Sequence, residues 1–368
     1  DSGILRYVRI EFGGYEFEAN EEINGLTLGG VGSGTTLEFI EVVGNTDDGF
    51  EFFGGTVDTK WLVSFFNQDE SFDLDQGHSG THQFWFAVQS TASDNGTEAD
   101  GGDGDTKTLT PLTDTKIYNA TYVGGGENSA KGSGNDGFRL KDNFAGQFHN
   151  SIFHDFGGHA VRIDDADTAG QVGGNLCFTN NVWGSFASGP VHGGQDAESD
   201  LLAQLGNTAV GTDPELSVLW RMNDEVASID PRPSETSVAW GSTLLQGAPS
   251  QVAFRGAFGE SNWAQTWTYM SNFGYFEPCF EQFEIPAPTY VVKGGSEEIV
   301  ITGVNLNGTS MTIEFIAEVG ADYKVTYSPD IETAFTDVAN ATVMADAASE
   351  SITFTVPGGS TGYFLVVK

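Results

Sequence analysis

Asp48-Gly49-Phe50-Glu51-Phe52, Glu70-Ser71-Phe72-Asp73-Leu74-Asp75, Asp136-Gly137-Phe138-Arg139-Leu140 and Gly158-His159-Ala160-Val161-Arg162-Ile163 are four copies of one pattern. Phe50 to Phe72 is 22 residues and Phe138 to Val161 is 23, the length of one β-solenoid coil. Alternation along a strand turns Phe72 and Leu74 inward with Asp73 and Asp75 outward, and Phe138 and Leu140 inward with Arg139 and Lys141 outward. Around these copies, from Ile4 to about Phe186, short β-type runs alternate with Gly, Asn and Asp clusters and show almost no helical periodicity. A second series, Ile117-Tyr118-Asn119, Phe148-His149-Asn150 and Phe178-Thr179-Asn180, repeats at 31 and 30 residues. Asn tolerates left-handed backbone and its amide can bond the copy above, so the series predicts a stacked turn ladder on coils lengthened by insertions.

The expected fold is all-β: a right-handed parallel β-helix over residues 1–186, then an irregular aromatic-rich extension over 187–284 that packs on it. A C-terminal β-sandwich of immunoglobulin or fibronectin type follows over 285–368. Asp94 to Asp105, rich in Asp and Gly, reads as an exposed loop. Asp200–Leu205 is helix-compatible, with Pro214, Pro231 and Pro233 limiting any helix. Phe254–Gly259 and Asn262–Thr268 form the aromatic block, and Ile285-Pro286-Ala287-Pro288 is a natural linker. Beyond it, Glu298–Ile301, Met311–Phe315, Tyr323–Tyr327, Ser351–Val356 and Gly362–Val367 are strands at sandwich-like intervals.

The 368 residues are 39% hydrophobic with 28 Phe, ample for a core. A net charge of -37 repels nucleic acid and anionic lipid. The charge fits solubility in a salty medium or divalent cation binding by clustered carboxylates, and both uses point outside the cell. Two cysteines, Cys177 and Cys279, leave one disulfide or two free thiols open. No apolar run reaches the roughly 18 residues of a membrane span, which excludes membrane insertion by a helix. Without an initiator Met or a signal peptide, the chain reads as processed and secreted.

Leu5-Arg6-Tyr7-Val8-Arg9-Ile10-Glu11-Phe12-Gly13-Gly14, Glu22–Leu28, Asp47-Asp48-Gly49-Phe50-Glu51-Phe52-Phe53-Gly54-Gly55-Thr56-Val57, Asp230-Pro231-Arg232-Pro233 and Phe254-Arg255-Gly256-Ala257-Phe258 span most of residues 1–275. Together they resemble a widespread, poorly characterised family of secreted bacterial β-helix proteins, common in marine Bacteroidetes and Verrucomicrobia. Tyr323–Asp330 with Gly362-Tyr363-Phe364 is similar to small β modules that end verrucomicrobial exported proteins. The resemblance implies a pectin-lyase-like β-helix, export and an extracellular or cell-surface location, and it implies no agreed activity. Family members usually carry a further coil before the position of Leu5.

Glu51, Asp73 and Asp75, outward on coils about 4.8 Å apart, either form a solvated face or recruit a cation, with calcium the best candidate. Asp100, Asp103 and Asp105 offer a second, weaker set, since they lack the Asp-x-Asp-x-Asp-Gly spacing with a distal Glu. A lyase-type set of Asp73, Asp75, Arg139 and Lys141, with Arg162, is the alternative; ladder pairing of the arginines with neighbouring carboxylates is the simpler account. His78 and His82 show no HExxH pattern, and Gly124-Gly125-Gly126 lacks the Lys and helix of a phosphate cradle. Trp61, Trp85, Trp263 and Trp267 could stack on sugars, with packing as the default.

These observations favour a non-catalytic, calcium-stabilised extracellular structural or adhesive protein. It is expected to associate with itself end to end or by strand exchange through the coil at Ile4 and Leu5. The alternative is a protein that binds or cleaves extracellular polysaccharide on the outer face of the helix. A lyase needs a cleft where two carboxylates and a base converge; a structural rod shows ladders without convergence.

Overall fold

A computed structural model describes residues 3–15, 17, 23–102, 104–276, 291–294, 297–307, 310–328, 336–355 and 363–368. The chain divides into two compact units at Cys279 and Phe280. Cys279 and the Ile285–Pro288 linker lie outside the described residues, so the disulfide question does too.

The first unit is a parallel β-helix. One sheet stacks Leu26–Gly29, Phe50–Phe53, Phe72–Asp75, Thr97–Asp100, Phe138–Lys141, His159–Ile163 and Gly189–Val191. Phe50 lies opposite Phe72 and Phe138 opposite Val161, the register that the repeat spacing predicts. Phe50, Phe52, Phe72, Leu74, Phe138 and Leu140 are fully buried. The glycine of the Asp-Gly-Phe pattern answers to close approach between coils: a Cβ at Gly49 would lie 2.7 Å from the Ser71 carbonyl oxygen.

The segment expected to be a loop instead contributes a core strand, Thr97–Asp100, between Phe72–Asp75 and Phe138–Lys141. Its inward residues are Thr97 and Ala99, both fully buried. They are too small and polar to mark a strand by pattern, and they fit because Tyr122 and Phe72, 5.6 Å apart, fill the interior beside them.

The other sheet stacks Gly3–Glu11, Thr35–Val43, Thr59–Phe65 and Thr81–Val88. Among the described residues Gly3–Glu11 pairs with Thr35–Val43 alone. Above Thr81–Val88 each long strand becomes two, such as Lys116–Tyr118 and Thr121–Val123. The divide falls at Asn119, Asn150 and Asn180, which have φ of 53°, 51° and 60°. The equivalent position below is aromatic: Tyr7, Phe39, Trp61 and Phe84 have φ of 54° to 62° and stack ring on ring.

The aromatic-rich extension packs on the outside of this sheet. Val226, Ile229, Ala257, Phe258 and Met270 share a core with Val63, Phe65 and Phe86. Asn119 Nδ2 donates to the Phe254 carbonyl and Arg255 Nη2 to Asn180 Oδ1, so the extension runs along the left-handed ladder. The last coil is covered by Ala197–Leu202 and by Thr208 and Gly211, whose amides donate to Asn181 and Trp183.

The second unit has two antiparallel sheets. Val291–Gly294, Glu297–Asn307, Ser310–Ile316 and Ser349–Thr355 form one, and Thr336–Met344, Asp322–Ser328 and Tyr363–Val367 the other. Ile313, Phe315, Tyr323, Val325, Val338, Ile352, Phe354 and Val366 form their common core, the arrangement of a β-sandwich.

Candidate functional site

The outer face of the sheet that begins at Leu26–Gly29 carries the charges. Glu51 lies opposite Asp73, Asp73 opposite Glu98, Glu98 opposite Arg139, and Arg139 opposite Arg162. Asp100 lies opposite Lys141. The face is acidic on the lower coils and basic above, and the halves meet at Glu98. Arg139 binds Glu98 at 2.6 Å and Asp164 at 2.9 Å; Lys141 binds Glu98 and lies 3.6 Å from Asp100; Arg162 binds Asp164 at 2.6 Å.

These pairs set the titration of the bases. Partial burial pulls Lys141 down, but Glu98 and Asp100 carry it up to about 12. Arg139 is likewise raised by Glu98 and Asp164 against its burial. Asp100 is pushed up to about 8 by burial and by its hydrogen-bonded neighbour Asp75. Glu51 is pushed up to about 7 by burial, with Asp47 and Asp75 adding repulsion.

A second ladder runs where the chain enters each strand of this sheet, two residues before the first inward side chain: Asp48, Glu70, Asn95, Asp136 and His159. Asp48 Oδ1 accepts from Glu70 N at 3.0 Å, and Glu70 Oε1 from Asn95 Nδ2 at 2.7 Å. Asn95 Oδ1 accepts from Asp136 N at 3.3 Å, and Asp136 Oδ1 from His159 N at 2.6 Å. One residue earlier stand Asp47, Asp69, Asp94 and Asn135. The ladder is thus amide- or histidine-compensated in the upper coils and purely acidic in the lower ones.

There, single oxygens of Asp48, Glu70 and Asp73 lie within 4.8 Å of one another. Asp47, Asp48 and Asp69 form an overlapping group, as do Asp69, Glu70 and Asp94. Burial, followed by repulsion from neighbouring carboxylates, holds Asp48, Glu70 and Asp73 well above the usual carboxylate range. Asp73 Oδ1 and Glu51 Oε2 are enclosed without a hydrogen-bond partner.

Of the residues expected to bind metal, Glu51, Asp73 and Asp75 do share the outer face, and Asp73 joins the tight group. Asp75 instead faces Phe53 and Asp100. Asp100 ends a core strand, and its Oδ1 accepts from Gly102 N at 2.9 Å. Asp105 is exposed in the 3-10 turn Gly104–Thr108, and Asp103 lies outside the described residues. Asp47, Asp48, Asp69, Glu70 and Asp94 were not anticipated as a site. Their signal was the acidic residue heading the repeat copies at Asp48 and Glu70.

The two histidines singled out in the sequence meet in the interior. His78 Nε2 and His82 Nε2 meet at 2.9 Å, both rings buried, with Thr59 Oγ1 2.8 Å from His82 Nδ1. Trp85 is fully buried. Trp61 has Phe39 and Phe84 on its faces, and Trp263 stacks on Phe258. Among the described residues no helix is long and apolar enough to cross a membrane.

Residues 1–199 match the family model described as a pectate-lyase like beta helix domain. No curated protein and no solved structure matches the chain. With more than half of its length covered by that model, and with stacked parallel coils beneath it, the chain belongs to the pectate-lyase-like β-helix family.

Proposed function

We propose that the protein is a non-catalytic β-helix scaffold, structural or adhesive, working outside the cell. The observation that carries this reading is the saturation of the bases on the charged face. Arg139 is held by two carboxylates, Lys141 lies between Glu98 and Asp100, and Arg162 is bound to Asp164. A base that removes a proton from a sugar must be able to lose its own near the working pH. Ion pairing moves Lys141 and Arg139 the other way. The net charge of -37 suits a surface kept soluble in a salt-rich medium.

The competing reading, polysaccharide cleavage on the same face, draws on the family description and on fold analogy, which does not determine chemistry. The deciding experiment incubates the purified chain with uronate, sulfated and neutral polysaccharides, with and without calcium, and follows unsaturated products. None is expected. Calcium-dependent products that disappear in folded Arg139→Ala would replace the scaffold reading with the lyase one.

A further inference from the structure

We propose that His159 and His192 form a site for a nitrogen-liganded divalent transition-metal ion of the zinc class, one that ties two adjacent coils of the β-helix together. His159 opens the strand His159–Ile163, and His192 directly follows Gly189–Val191, the next strand of the same parallel sheet. The two imidazole rings meet, with centroids 5.6 Å apart. A zinc ion about 2.0–2.1 Å from an imidazole nitrogen lies about 3 Å from the centre of that ring, so two rings sharing one ion have centres up to about 6 Å apart. The observed spacing falls within that reach. The His192 side chain is 40% exposed, which leaves water free to fill the other positions on the ion.

Two rings in contact are by themselves packing. The independent observation is the buried carboxylate that stands behind each ring. Asp136, its side chain fully buried, accepts at Oδ1 from the backbone N–H of His159 at 2.6 Å, and the same oxygen lies 3.0 Å from His159 Nδ1. An oxygen already accepting from an N–H has no proton of its own to give, so Nδ1 donates to it and the ring's lone pair is left on Nε2. Glu198, its side chain also fully buried, stands 3.8 Å from His192 Nδ1. It is fixed there by the backbone N–H groups of Ile163 at 3.0 Å and Gly193 at 2.7 Å, so both of its oxygens are acceptors and favour the proton on Nδ1. A carboxylate behind Nδ1 is the arrangement that sets the tautomer and orientation of metal-ligating histidines, and here it occurs on both rings. Among the described residues neither Nε2 has a hydrogen-bond partner, whereas His78 and His82 spend theirs on each other. Imidazole nitrogen selects zinc, copper or nickel over calcium, which takes oxygen ligands. The neighbouring cation Arg162 is bound to Asp164 at 2.6 Å, which offsets its charge. The assignment is independent of the scaffold reading, because a tie between coils serves a catalytic or a non-catalytic β-helix equally.

The test uses the full chain, stripped with chelator and titrated with zinc chloride by calorimetry. One zinc per chain should bind with a sub-millimolar Kd, and a hundredfold excess of calcium should not displace it. His159→Ala and His192→Ala should each weaken binding at least tenfold. Failure to bind at 1 mM zinc, displacement by calcium, or an affinity within twofold of wild type in His192→Ala overturns the proposal. His192 is the more exposed of the two rings, so its variant decides the matter if His159→Ala does not fold. Crystals of the wild type grown with zinc then locate the ion by anomalous scattering. A peak between the two imidazoles supports the assignment, and a peak only elsewhere overturns it.

Discussion

Two buried histidines in this chain are held in the neutral state by what surrounds them. Trp85 Nε1 donates to Thr59 Oγ1, and His78 Nδ1 lies 2.9 Å from the Gly54 carbonyl. A neutral pair satisfies every contact: Thr59 donates to His82 Nδ1, His82 Nε2 donates to His78 Nε2, and His78 Nδ1 donates to Gly54. Adding a proton would set two N–H groups against each other. Burial accordingly lowers His78 to about 4 and His82 well below the usual value. Thr59→Val leaves both the Trp85 N–H and His82 Nδ1 unpaired, and it should cost about 2–4 kcal/mol in urea unfolding.

The folded value of His78 is depressed, so its contribution to stability is complete above pH 6.5 and is lost as pH falls toward 4. Wild type should therefore lose more stability across that interval than His78→Gln. Glu41 acts in the opposite sense. Burial raises it from 4.5 to about 7, against the backbone hydrogen bonds from Tyr269 and Met270. Stability from the protonated form is present below pH 4.5 and declines as pH rises through 7. Glu41→Gln should match wild type at pH 4 and exceed it by about 2 kcal/mol at pH 8, measured by denaturant midpoints.

At the scale of elements, the left-handed rung is the device that turns each coil. Asn150 has φ of 51° and donates from Nδ2 to the Thr243 carbonyl. Asn150→Ala adds backbone strain and removes that bond, with an expected loss of about 1–3 kcal/mol. Asn150→Gly removes the bond and relieves the strain, so it should recover part of the loss. Equal costs for the two variants would show that φ is not what the position demands. The Asn rungs were legible because Asn recurs at a constant offset and accepts left-handed backbone. The aromatic rungs Tyr7, Phe39, Trp61 and Phe84 were not, because nothing in an aromatic side chain signals positive φ. They hold it because each ring stacks on the rung of the next coil, as Phe39 does on Trp61 with centroids 4.4 Å apart. Thr97–Asp100 was missed for a related reason: a strand whose inward residues are Thr and Ala becomes a strand through its neighbours' register.

Across the described residues of the whole molecule, the β-helix and the sandwich each keep an apolar core of their own. Cooperativity follows shared buried contacts, so the full chain should unfold in two calorimetric transitions. A chain ending at Phe276 should keep one of them, with Tm within a few degrees of its value in the full chain. Loss of that transition on truncation would mean that the sandwich supports the helix.

What the sequence determined by itself is the architecture, because a repeat of 22 or 23 residues with alternating apolar positions can bury its core only by stacking on copies of itself. Inward Phe72 and Leu74, outward Asp73 and Arg139, and the Asn ladder all follow from that one-dimensional pattern. The site was decided by the tertiary structure. Asp48, Glu70 and Asp73 converge because adjacent coils lie in register, and whether a carboxylate is matched by an Asn, a His, a Lys or nothing depends on which coil lies above it. Local sequence records the presence of a charge. Only stacking decides whether that charge is enclosed, and what faces it.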